Sequence, residues 1–209
     1  RHILCPKPSG YFSDWQWAQE NSFDGNRGGD WFDFDESLID KTDKDCVWRI
    51  KEVTRNGKQV TVHQIWSPVA SMVLFIKLHL PLRTYQVRML DSGEADTFRY
   101  ENGEWIKNPH NFALNRYSKG VFRQFKDNAT GLESTGLYIS TNKTADQNKD
   151  EFERGYEIPW QNEDVLYWLE KLRNWQERYN PIDKPLDCTS LTTRHTDRKT
   201  SHQYLSAMG

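Results

Sequence analysis

The chain has 209 residues, which by a prior of roughly 150 residues per domain means one domain or one domain with an extension. Hydrophobic residues make up 36% and aromatic residues 13%, which excludes a disordered, collagen-like or low-complexity chain. Lys and Arg total 28 against 30 Asp and Glu, so the formal charge is -2 and a uniformly basic nucleic-acid coat is excluded, although a local basic face is not.

Cys5, Cys46 and Cys188 are far apart and form no C-x-x-C pair, which argues for a reducing compartment over a disulfide framework or zinc ribbon. The most apolar run, residues 69–82, is shorter than the about 20 residues that span a bilayer. It also contains Lys77 and His79. A cytoplasmic protein without membrane contact is expected. The first residue is Arg1 rather than Met, so a piece of a longer reading frame is expected too.

In chain order, residues 1–47 read as irregular. An acidic run from Asp30 to Asp45, relieved by Lys41 and Lys44, is interleaved with Trp31, Phe32 and Phe34. The spacing of a calcium loop is missing, so a solvated segment pinned by aromatics is expected. Residues 48–65 read as a hairpin turning at Asn56-Gly57, with a helix starting near Glu52 as the alternative. Ser67-Pro68 opens a helix whose apolar face is Val69, Met72, Val73, Ile76 and Leu80, and Pro81 ends it. Residues 85–90 continue as helix, and short strands follow around 98–100 and 104–106, joined by Asn102-Gly103. A second hairpin spans 135–160 with a long charged connection. Asn162 caps the clearest helix, with Glu163 and Asp164 in its first turn and Val165, Trp168, Leu169, Leu172 and Trp175 as its stripe.

This order of elements resembles the catalytic domain of tyrosine recombinases, the phage integrase family. There an apolar helix runs into a Thr-Gly-Leu-Arg-x-x-Glu-Leu segment. Leu80-Pro81-Leu82-Arg83 stands in that place, with Arg83 matching the phosphate-binding arginine, Gln86 the usual Glu, and Asp91 or Glu94 the acid that follows. Thr141-Asn142-Lys143-Thr144 and Glu157-Ile158-Pro159-Trp160 resemble the hairpin that carries the catalytic lysine. Lys143 is the match and Lys149 the second choice. The resemblance covers roughly residues 66–178.

The fold it implies is α+β: a mostly helical catalytic-domain fragment with small antiparallel β-hairpins. Residues 1–65 would be a linker or the end of an upstream region. Residues 66–209 would be the N-terminal part of the catalytic domain. The implied chemistry is metal-free DNA cleavage and rejoining through a phosphotyrosyl link. Planar arginines suit the charge on the non-bridging oxygens, and a lysine can protonate the leaving oxygen. The implied partners are double-stranded DNA and further copies of the protein on it, with no metal and no small-molecule cofactor. The family also needs a His-x-x-Arg motif and a tyrosine nucleophile. His195, Arg198 and Tyr204 are candidates, but each fits the spacing incompletely, and the motif is expected beyond Gly209. The fragment is then inactive alone.

Between Trp105 and Lys126 the cations Lys107, Arg116, Lys119, Arg123 and Lys126 are interleaved with aromatics and no acid. That composition suits a DNA backbone. It also suits a solvated face over an aromatic core. For Arg83 the bland reading is a helix-end arginine paired with Asp91 or Glu94, and for Lys143 a solvated turn lysine. The alternative function is a non-catalytic DNA-binding or interaction module of a mobile element.

Overall fold

Two Asn-Gly pairs set the hairpins of the chain. At Asn56-Gly57 φ is 51° and 76°, and at Asn102-Gly103 it is 51° and 87°. Two consecutive left-handed residues match the twist of the flanking strands, which is why such pairs close two-residue hairpins. The computed structural model describes residues 14–21, 30–109, 120–140, 148–149, 155–159 and 162–179. Its contacts divide the chain into two units, Arg1–Leu80 and Pro81–Gly209.

In the first unit, α1 (Trp15–Glu20) is capped by Asp14, whose carboxylate accepts the Trp17 N–H at 2.7 Å. Strand β1 (Trp31–Asp33) pairs with β3 (Lys58–Trp66), and β3 pairs with β2 (Trp48–Arg55), giving an antiparallel sheet of order β1-β3-β2. Helix α2 (Val69–His79) follows, and Leu80 is already extended. Trp15, Trp66, Met72, Phe75 and Ile76 are buried. The expected hairpin is present. The helix near Glu52 is not, because Glu52 pairs with Thr61 in the ladder.

Residues 1–47 are also more regular than expected, since they hold α1 and β1. The acids of the run are half-buried or exposed, and several of its carboxylates make local turns. Asp35, Asp40 and Asp43 each accept the N–H two residues on, all at 2.9 Å. Such bonds are why Asp favours turns over regular elements.

The second unit opens with α3 (Thr84–Arg88). Strands β4 (Phe98–Glu101) and β5 (Glu104–Lys107) form a hairpin. A three-stranded sheet of order β6-β7-β8 joins β6 (Phe122–Lys126), β7 (Glu133–Ile139) and β8 (Tyr156–Ile158). Helix α4 (Glu163–Tyr179) starts at Asn162, whose side-chain oxygen accepts the Val165 N–H at 3.2 Å. All five residues of its expected stripe are buried.

The expectation of a mostly helical fold fails. Helix and strand take 31% and 32% of the described residues, and the strands form three antiparallel sheets. The helical bias came from the resemblance, whereas the local signals were those of hairpins. Two strands were not expected at all. Strand β6 lies in the basic stretch, where Phe122 faces the interior and Gln124 and Lys126 do not, so its alternation is broken. Strand β1 has only three residues and exists because β3 supplies its partner. Among the described residues no helix is long and apolar enough to cross a membrane.

Candidate functional site

Pro81 stops the preceding helix, and the chain passes extended through Arg83 (φ -71°, ψ 149°) into the short helix α3. Gln86 is the third residue of that helix. Its side-chain oxygen accepts the Arg83 backbone N–H at 3.0 Å, as a glutamine at this position does in a capping box. Its amide also donates to the Tyr156 hydroxyl on β8 at 3.3 Å. An amide both donates and accepts, so one side chain joins the Arg83 turn to the sheet. The Arg83 side chain itself is exposed and makes no ion pair with Asp91 or Glu94. Lys143 belongs to the connection between β7 and β8 and lies outside the described residues. Its hairpin begins at the pair Ile139–Tyr156, so the Gln86 bond is made at the base of that hairpin.

Beyond α3 a loop, residues 91–96, presents three carboxylates. The Asp91 carboxylate accepts the Gly93 N–H at 2.8 Å, and its carbonyl accepts the Val121 N–H at 2.8 Å. Buried Asn108 donates to the carbonyls of Gly93, Glu94 and Asp96 at 3.2, 3.2 and 2.9 Å. Asp96 accepts the Gly120 N–H at 2.8 Å. A Cβ on Gly120 would lie 2.8 Å from both Asp96 Oδ2 and Gly93 Cα, so only glycine allows this approach. Glu94 Oε2 is buried without a hydrogen-bond partner. Burial pushes the Glu94 carboxyl up to about 7, and the negative charges of Asp91, Glu177 and Asp96 add to the shift.

Arg123 is turned toward this loop. It donates to the carbonyls of Gly120 and Phe122 at 2.7 and 3.2 Å and lies 3.8 Å from Asp96. Its guanidinium sits 4.4 Å from the centre of the Tyr138 ring. Burial lowers its pKa, and Asp96 opposes that shift. Lys107 and Lys126 are exposed and end β5 and β6, which belong to different sheets. Arg116, Lys119, His195, Arg198 and Tyr204 lie outside the described residues.

Two arginines missed in the sequence anchor the β4–β5 hairpin to α4. Arg99 donates to both oxygens of Glu177 at 3.0 Å and to Asn174 at 3.1 Å. Arg173 donates to the Tyr100 carbonyl at 2.6 Å. The signal for Arg173 was helical phase: it stands four residues after Leu169, on the buried side of α4. Arg99 pairs locally with Glu101 at 3.1 Å, but its partners on α4 follow more than seventy residues later and gave no local signal.

An exposed arginine turn tied by Gln86 to the base of the β7–β8 connection, and beside it in sequence a clamped carboxylate loop, make up the candidate site. The family described as "Putative integrase" matches residues 1–189, so the chain belongs to that family. This ties it to integration and recombination in general. No curated protein and no solved structure matches the chain.

Proposed function

We propose that this integrase-family chain supplies the first arginine and the lysine of a tyrosine-type DNA recombinase. The Gln86 bridge carries the reading, because it ties the Arg83 turn to the base of the hairpin that holds Lys143. The guanidinium of Arg83 would hold the non-bridging oxygens of the scissile phosphate, where charge grows during attack. A tyrosine hydroxyl would form the new P–O bond while the bond to the 5′-oxygen breaks. The ammonium of Lys143 would donate its proton to that oxygen. The phosphotyrosyl link conserves the bond, and the reverse reaction rejoins the strand. Exposed Lys107 and Lys126, with Arg116 and Lys119, would contact the DNA backbone. Arg123 is left out of that set because its guanidinium is committed to Gly120, Phe122 and Asp96.

The test is adduct formation by the intact protein on a nicked suicide substrate. Arg83→Ala should abolish the adduct, and an undiminished yield would sink the assignment. Lys143→Ala should fail on ordinary DNA yet recover on DNA with a 5′-bridging sulfur, whose thiolate leaves without a proton. Salt-dependent DNA binding with no adduct from the unaltered protein would favour the non-catalytic module instead.

A further inference from the structure

The first unit carries a charged feature that the proposed chemistry does not use. Strand β1 pairs only with Gln64, Ile65 and Trp66 of β3. Beyond that root β2 and β3 continue as a two-stranded ladder to the pair Arg55–Lys58, with Phe34 bonded to the His63 carbonyl and Asp33 paired with Arg55 alongside it. Six further ladder pairs at about 3.4 Å per residue make it about 20 Å long. Residues 54–61 are exposed throughout, so both sides of the tip meet solvent.

Register decides which side chains share a face, because facing partners point the same way and neighbours alternate. Lys51, Val53 and Arg55 of β2 therefore share one face with Lys58, Val60 and Val62 of β3. Ile50, Glu52 and Thr54 share the other with Gln59, Thr61 and His63. Every lysine and arginine of the ribbon lies on the first face, and its one carboxylate lies on the second. Arg49 continues the cationic face at the root, where it stacks 4.0 Å above the Trp31 ring. Arg55 is paired with Asp33 of β1, while Lys51 and Lys58 are exposed. Charges along a free edge guard against strand pairing, but that purpose does not require one face. The chain as a whole is slightly acidic at -2, so the segregation is not a by-product of composition.

We infer that the β2–β3 ribbon is a second docking surface for double-stranded DNA, with Lys51 and Lys58 against its phosphates. A ribbon of two strands fits the major groove, about 12 Å wide, and a one-sided cationic face complements the backbone that lines it. The inference rests on the reading of the chain as a DNA-integration protein and adds a contact to it away from Arg83 and Lys143.

The experiment measures binding of a fluorescent duplex by the 209-residue chain across a salt series. Lys51→Gln/Lys58→Gln should weaken binding at least fivefold and lower the salt slope by about 2, one phosphate contact per lysine. Both sites are exposed, so unfolding midpoints should not move, and a parallel melt checks this. Glu52→Gln on the opposite face should leave affinity within twofold. Unchanged affinity of the double variant overturns the inference, as does a gain for Glu52→Gln equal to the loss per lysine, which would mean net charge and not a face. The adduct assay separates the two readings: ribbon-dependent binding without adduct keeps the ribbon and loses the recombinase, and the converse loses only the ribbon.

Discussion

The β2–β3 ribbon and the clamped loop 91–96 are both rich in charge, yet they handle it in opposite ways. The ribbon holds Lys51, Arg55 and Lys58 in solvent on a ladder whose partners are at most a dozen residues apart. The loop buries carboxylates among groups drawn from distant sequence, such as Asn108, Gly120 and Glu177. Exposed charge adds little to stability, whereas buried charge is tolerated only when its partners are complete. The exposed lysines of the ribbon can therefore be exchanged at little cost, whereas Asp96, which accepts the buried Gly120 N–H, cannot.

The largest expected effect tests the buried side of that contrast. Arg99→Met removes the donors from Glu177 and Asn174 and leaves a carboxylate unpaired on α4. Glu177 and Asn174 face solvent, so the expected cost is about 1.5–3 kcal/mol, read by urea unfolding. Arg99→Met combined with Glu177→Leu should recover most of it, since two apolar groups replace two charges. A loss for the double variant as large as for the single one would show that the hairpin is not held by this pair.

Glu94 gives an effect of comparable size and has a pH signature. Its carboxyl titrates near 7 in the fold against an ordinary 4.5. The folded state thus holds this proton more tightly than the unfolded chain does. Its contribution is complete below about pH 4.5 and is lost as pH rises through 7. Glu94→Gln keeps the neutral form at every pH. It should stabilise the protein by roughly 2–3 kcal/mol at pH 8 and by little at pH 5. Thermal melts at the two pH values decide this. Equal shifts at both would mean that the side chain is solvated after all.

The same contrast explains what could be read from sequence. Asn56-Gly57 and Asn102-Gly103 announced their hairpins because the turn chemistry is local. Asn162 and the stripe of α4 were legible because cap and period lie within one helix. The Arg99–Glu177 pair and the Asn108 clamp were not, since each depends on segments that meet only in the fold. Gln86 looked like a departure from the family's Glu. In the fold it has its own task, joining Arg83 to Tyr156 with an acceptor and a donor. Arg123 illustrates the opposite limit. A basic-aromatic stretch has the same composition whether its arginine faces solvent or, as here, a buried carboxylate.

The smallest effect belongs to the ribbon and sharpens the comparison from its other side. Gly57 sits at φ 76°, and a Cβ added there would meet nothing within 4 Å. Gly57→Ala therefore costs only the left-handed backbone, about 1 kcal/mol, with no packing loss. The cost should stay within the first unit, because the added Cβ meets nothing and Arg55 at the tip is paired with Asp33 of the same sheet. Hydrogen exchange of the β2–β3 amides near the turn should quicken about fivefold, matching that energy, while amides of β6 and β7 keep their rates. If exchange quickens equally in both, the ribbon is not an independent arm but unfolds together with the rest of the chain. Its one-sided charge would then have to be read as part of a larger surface.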